Sequence, residues 1–196
     1  MIPKHGPTLL LLGKIYLDDS RLEQANQALE SLLANEPTNT GGRQLLAATK
    51  LRLKQPHNAL SLIDIETLDQ TNDPLTLIIA GSAYINTGKL SEGTAFLERA
   101  SKLVKNPLKI RAQLARVYLA SGDVENAIAE FRSLTDSDDN NPQHLLMLAY
   151  AQVRQGEFDQ ATVTAEKLSQ QGSELLAVNL KGAIEMARSR MTQARQ

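Results

Sequence analysis

ARVYLASGDVENAIAEF, residues 115–131, carries two apolar runs at helical spacing separated by a glycine–acid pair. Leu114, Val117 and Tyr118 share one helical face, and Val124, Ala127, Ile128 and Phe131 share another. Spacings of three and four residues are those of amphipathic helices. Gly122-Asp123 marks the turn between them. Ala115 and Ala127 keep the facing surfaces small, so the two helices can approach closely; a bulky side chain there would push them apart. The stretch reads as a helical hairpin, and the question is whether it occurs once or many times.

It recurs. Thirty-four residues before Gly122 stands Gly88 and thirty-four after it stands Gly156, each followed by a charged residue, Lys89, Asp123 or Glu157. Pro74 and Pro142 are two such steps apart, and Tyr84 and Tyr118 one. The frame divides the chain into units 6–39, 40–73, 74–107, 108–141, 142–174 and 175–196, the last truncated. The eighth position reads Gly13, Ala47, Gly81, Ala115 and Ala149, and the twentieth Ala25, Ala59, Gly93, Ala127 and Ala161. In the sixth unit Gly182 and Ala194 fill the same slots. A fixed period of this length is the mark of a repeat architecture, in which each unit buries its apolar face against its neighbours.

The pattern resembles the tetratricopeptide repeat. That family wants large residues at positions 4 and 7, a small one at 8, Tyr at 11, Ala at 20, a large residue at 24 and Pro at 32. Leu9, Leu12, Gly13, Tyr16, Ala25, Leu29 and Pro37 match in the first unit, and Leu114, Ala115, Tyr118, Ala127 and Phe131 in the fourth. The second unit departs most, with Lys50 where Tyr belongs. The resemblance implies an all-α fold: a right-handed superhelical solenoid of about five and a half helix–turn–helix repeats. Asp73-Pro74 and Asn141-Pro142 each read as an N-cap followed by a first-turn proline, and Pro56 opens a second helix. Eleven or twelve helices and no strands are expected. Ala194 is expected to lie one turn into a further helix, so that the chain reads as an excerpt of a longer repeat protein.

Composition limits the function classes. Of 196 residues, 42% are hydrophobic and 22% charged, ordinary for a folded chain. Net charge is −1, which gives no general pull toward nucleic acid or anionic membrane. Cysteine is absent, which excludes disulfides and thiolate metal sites. No apolar run reaches the length of a spanning helix, so direct membrane insertion is not expected. His5, His57 and His144 sit in separate helices and read as exposed polar residues. No phosphate loop or nucleophile–base pair is present, and TDSDDNNP, residues 135–142, reads as a solvated connector rather than a calcium loop. No catalysis, metal or cofactor is expected.

A binding surface remains. In the family, first helices line a concave groove, which fits a protein or peptide partner. Those helices hold ten basic residues and three acidic ones, against eleven and nineteen in the rest of the chain. Acid is therefore depleted from the first helices. The positions that face the groove in the family carry Lys14, Gln44, Arg52, Leu75, Ile78, Ser82, Asn86, Lys109, Arg116, Leu146, Tyr150 and Arg154. The resemblance thus implies an apolar middle flanked by bases, suited to a segment with apolar anchors and acidic groups. The inner helix of unit three holds no base, which argues against the family's chaperone-docking version. AVNLKGAIEMA, residues 177–187, is similar to large bacterial tetratricopeptide lipoproteins of exopolysaccharide export and surface-protein sorting, which implies a periplasmic, membrane-attached parent; a cytoplasmic adaptor, a structural spacer and a regulatory domain of a larger enzyme are the alternatives. Apolar residues near Leu9, Leu12, Leu175 and Leu180 are expected to be exposed at the two ends and to favour end-to-end association.

Overall fold

Eleven α-helices and one short 3-10 turn make up the described part of a computed structural model, residues 5–137 and 141–194; no strand occurs there. The chain divides into two compact units, Met1–Lys105 and Asn106–Gln196. The first holds α1 (Gly6–Asp18), α2 (Leu22–Asn35), α3 (Thr40–Arg52), α4 (Pro56–Leu60), α5 (Pro74–Asn86) and α6 (Leu90–Leu103). The second holds α7 (Leu108–Ser121), α8 (Val124–Asp136), α9 (Pro142–Gln155), α10 (Phe158–Gln170) and α11 (Glu174–Gln193). Each helix packs on the next within its unit, and the first helices α1, α3 and α5 also lie side by side.

Local chemistry starts the helices. Asn39 accepts from the Gly42 amide at 2.9 Å, and Asp73 from the Thr76 amide at 2.8 Å. Asn141 accepts from the Gln143 amide at 3.0 Å, with Pro142 following it in the first turn. These bonds satisfy amide donors that have no partner within the helix.

The turns share one backbone device. Gly88, Gly122 and Gly156 have φ of 85°, 87° and 84°, the left-handed region that ends a helix. The same repeat position in the first two units holds Ser20 (φ 62°) and Lys54 (φ 63°), which adopt that conformation despite carrying a Cβ. In four of these turns the next residue's amide then reaches back to position 11: Arg21 to Tyr16, Gln55 to Lys50, Lys89 to Tyr84 and Glu157 to Gln152. A non-glycine residue pays about 1–2 kcal/mol for this region, partly offset by glycine's greater freedom when unfolded. Lys54→Gly is therefore expected to raise the unfolding free energy by about 0.5–1 kcal/mol, measured by urea titration. Ser20 is a poorer test because its Oγ accepts from Arg52 at 2.7 Å.

Small residues do what their spacing implied. Ala25, Ala47, Ala59, Ala115, Ala127, Ala149 and Ala161 are fully buried between helices. In the first unit the core gathers Leu9, Leu29, Leu32 and Leu46, with Ala47, Ala59 and Ile79 beyond them. In the second, Ala115, Ala127, Ile128, Phe131 and Leu148 form one cluster, and Leu145, Ala161, Leu168 and Ile184 another.

Four details differ from expectation. The second helix of unit two ends after five residues, at Leu60, and the chain continues as a loop with a 3-10 turn over Ile65–Thr67. Ile63 and Thr67 are β-branched and lose rotamer freedom in a helix, while Ser61 and Thr67 bond back to nearby carbonyls. The described residues of the sixth unit show no such turn: α11 runs unbroken through Ser189, at the position where a left-handed residue follows the earlier first helices, so Ala194 caps α11 rather than lying one turn into a further helix. His144 is buried near the start of α9 rather than exposed. At the ends, Leu175 is exposed as expected, but Leu9 and Leu180 are buried and Leu12 is half-buried; Leu11 and Ile15 on α1 and Leu176, Val178, Met186 and Met191 on α11 are exposed as well. Asp138, Asp139 and Asn140 of the acidic connector lie outside the described residues.

Lys50, the misfit at position 11, is not left alone in the core. Its Nζ lies 2.7 Å from Glu30 Oε1 on α2, and this hydrogen bond is the first cause that holds the Glu30 carboxyl below its ordinary 4.5. A carboxylate lowered in the folded state stabilises above its ordinary value and loses that stabilisation as pH falls through the lowered one. The difference in melting temperature between the wild type and Lys50→Met is thus expected to shrink, in favour of the variant, as pH drops from 6 to about 3. An unchanged difference across that range would show that the pair contributes no linkage.

Candidate functional site

The candidate face is built from the solvent sides of first helices, and it is described for each compact unit separately. In the first unit Lys14 and Asn86 are exposed, Leu75 is 40% exposed, and Ile78 and Ser82 are half-buried. In the second, Lys109 and Arg116 are exposed, Tyr150 is 51% exposed, and Leu146 is half-buried against the Leu145–Ile184 cluster. Position 9 of units four and five thus presents a guanidinium, Arg116, and a phenol, Tyr150. Among the described residues neither has a hydrogen-bond or ion-pair partner. Exposed Tyr and Arg are the side-chain types most enriched at the energetic centres of protein interfaces.

Three of the other sequence-predicted residues hold the fold together. Arg52, at position 13 of unit two, donates through Nη1 to the Leu17 carbonyl and through Nη2 to Ser20 Oγ. Arg154, at position 13 of unit five, donates to the Leu119 carbonyl at 2.8 Å. In both cases an arginine reaches back thirty-five residues to the C-terminal end of the preceding first helix. There it adds a second donor to carbonyls that already accept from the turn amides of Ser20 and Gly122, and it meets the negative end of the helix dipole. Gln44 donates to Asp73 Oδ2 at 2.7 Å and to Thr76 Oγ1 at 2.9 Å, tying α3 to the start of α5.

Two further features had no signal in the repeat pattern. Gln152 occupies position 11 of unit five and is 3% exposed, with Thr164 of α10 donating to its Oε1 at 2.8 Å. A satisfied polar pair replaces the family's tyrosine there. Second, Arg99 of α6 donates to the carbonyls of Leu68, Asp69 and Thr71. One side chain thereby serves three acceptors of the loop that stands where unit two lacks helix.

Two family models described as tetratricopeptide repeat match the chain, over residues 8–39 and 118–184. Together they span about half of it, and the regular pairs of helices with small residues at their contacts agree with them. The chain belongs to the tetratricopeptide repeat family. Cellulose synthase operon protein C of Pseudomonas fluorescens (strain SBW25) is 25% identical over 171 residues, which is 83% of this chain. The chain spans 13% of that relative's length. Among solved structures, Pseudomonas aeruginosa pilF aligns with a TM-score of 0.72 at 20% identity, covering 94% of this chain and 87% of that one. YrrB, described as a tetratricopeptide repeat protein with an unusual peptide-binding site, aligns at 0.70 and 13% identity, covering 91% and 93%. These structural likenesses show the solenoid repeat fold.

Repeats of this family are typically non-catalytic scaffolds for protein–protein interaction. Among the described residues there is no group of three or more metal-ligating side chains, and no helix is long and apolar enough to cross a membrane.

Proposed function

We propose that this tetratricopeptide repeat chain captures a peptide segment of a partner protein on its first-helix faces, with Tyr150 as the apolar anchor and Arg116 as the charge that selects an acidic neighbour. The observation that carries the reading is the exposure of these two side chains at one repeat position, unengaged, while the arginines at position 13 are consumed by helix ends. Leu75 and Ile78 on α5 offer a second, apolar place in the first unit. The cellulose synthase operon relative supports a parent protein that is longer, bacterial and engaged in exopolysaccharide export.

A peptide-display selection against the whole chain tests the face. Recovered peptides are expected to be enriched in acidic and apolar residues and to bind at least about tenfold more weakly to the Tyr150→Ala, Arg116→Glu double variant. Arg154→Ala serves as the contrast: it is expected to lower stability while leaving the affinity of the folded chain unchanged. Peptides that bind the double variant as tightly as wild type would place the binding surface elsewhere.

A further inference from the structure

Arg43 and Arg111 hold the same place, position 4 of repeats two and four, where the family prefers a large apolar side chain. Arg111 meets its own second helix: Nε lies 3.0 Å from Glu130 Oε2 of α8, and Nη1 donates to Ser133 Oγ. Arg43 has no such helix to meet, because α4 ends at Leu60. Leu62 stands where Glu130 stands in repeat four, and its carbonyl takes Arg43 Nε at 3.1 Å. Among the described residues neither terminal nitrogen of Arg43 has a partner. A guanidinium cannot lose its charge by deprotonation, so half-burying one without a counter-ion carries a standing desolvation cost.

The side chain lines a cleft of about 460 Å³ between the start of α3, the 61–73 loop and the start of α5. That volume is in the range of small-ligand and side-chain pockets. Hydrogen-bond donors remain open around it besides the terminal nitrogens of Arg43. Thr71 Oγ1 accepts from the Asp73 amide and Thr76 Oγ1 accepts from Gln44, so both retain an O–H to give. Asp73 Oδ2 is occupied by the Thr76 amide and Gln44. Leu62 and Ile63 add apolar wall. Two carboxylates stand among the lining residues, the exposed Asp64 and the half-buried Asp73 at the start of α5.

We propose that this cleft is a second binding site, which takes one carboxylate side chain, Glu or Asp, from a peptide segment that is otherwise neutral or basic. Arg43 supplies the charge that Glu130 satisfies internally in repeat four, and the threonine hydroxyls supply the remaining donors. Asp64 and Asp73 set the limit on charge, since a strongly acidic segment is repelled there. The site uses none of the residues of the face that Arg116 and Tyr150 form and stands or falls independently of it.

NMR titration of the whole chain tests it, with acetyl-Ser-Glu-Lys-amide as probe and acetyl-Ser-Gln-Lys-amide as its neutral counterpart. The Glu peptide is expected to shift the Arg43 Nε–H resonance and the Thr71 and Thr76 amides, and the Gln peptide to bind about tenfold more weakly. Arg43→Gln is expected to abolish the response. Asp64→Asn, an exposed change that keeps the fold, is expected to tighten the Glu peptide by about two- to fivefold. Arg116→Glu with Tyr150→Ala is expected to leave all of this unchanged, which separates the cleft from the first-helix face. Equal shifts from both peptides, a response that persists in Arg43→Gln, or no shift from either peptide at about 10 mM would overturn the proposal. So would cleft shifts produced by cellobiose and not by the Glu peptide. If Arg43→Gln does not fold, the contrast between the two peptides and the Asp64→Asn response still decide.

Discussion

Replacing Arg99 by alanine is expected to lower the unfolding free energy by about 2–4 kcal/mol, the largest loss from any single charged side chain in the first unit. Arg99 donates at 3.3 Å to the Leu68 carbonyl, at 3.0 Å to that of Asp69 and at 2.9 Å to that of Thr71. Hydrogen bonds from a charged donor contribute about 1.5–3 kcal/mol each, but these are partly exposed, and carbonyls released by the change regain water. Three bonds discounted in this way leave the range given. The guanidinium carbon also sits 5.9 Å from the Phe96 ring centroid, and that ring stacks on Tyr84 at 5.6 Å, so packing is lost as well. Leu68, 2% exposed, is the apolar plug whose position depends on the clamp. Urea unfolding gives the size of the effect. Hydrogen exchange should show lost protection across residues 61–73 before the rest of the unit opens. Arg99→Lys should recover little, because one ammonium cannot span three carbonyls in a planar fork. A loss below about 0.5 kcal/mol would mean the loop is held by its apolar contacts alone.

Gly93→Ala is expected to destabilise by about 1–3 kcal/mol, although the same change in an open helix is favourable by about 1 kcal/mol. A Cβ at Gly93 would lie 2.7 Å from the Gly81 carbonyl oxygen and 2.9 Å from the Ile85 backbone nitrogen. A Cβ at Gly81 would lie 2.9 Å from the Gly93 carbonyl oxygen. In repeat three the two helices therefore touch backbone to backbone, and no side-chain rotation can relieve the overlap. α5 and α6 have to move apart, which opens the contacts of Leu97 and Ala83 behind them. Gly182→Ala is the matched control, because nothing lies within 4 Å of a Cβ there. It occupies the same repeat slot as Gly81 and is expected to gain about 0.5–1 kcal/mol. The two changes, compared by thermal or urea unfolding, should carry opposite signs. A gain at Gly93 would mean that the helices separate at little cost.

The repeat frame was legible because it rests on local physics. A 34-residue step, small residues at two slots and apolar stripes at helical spacing place the helices and their contacts without knowledge of the rest of the chain. Gly13 shows how tightly the slot is drawn: a Cβ there would come within 2.5 Å of Leu29 Cδ2. The candidate face was legible only in part. Periodicity places a residue on a side of its helix, and it did so for Arg116 and Tyr150. It does not tell a free side chain from one that reaches across to another element, which is why Arg52, Arg154 and Gln44 looked like the rest.

The sequence by itself therefore determined the family, the helix order and the close-contact slots, since each follows from spacing within one repeat. Tertiary structure alone decided which cations are free. Arg111 and Arg43 share a repeat position, yet one meets a carboxylate and the other a cleft, because the first faces an intact second helix and the second a loop. That difference depends on contacts across nineteen or more residues, where a single side chain chooses among acceptors that no periodicity ranks.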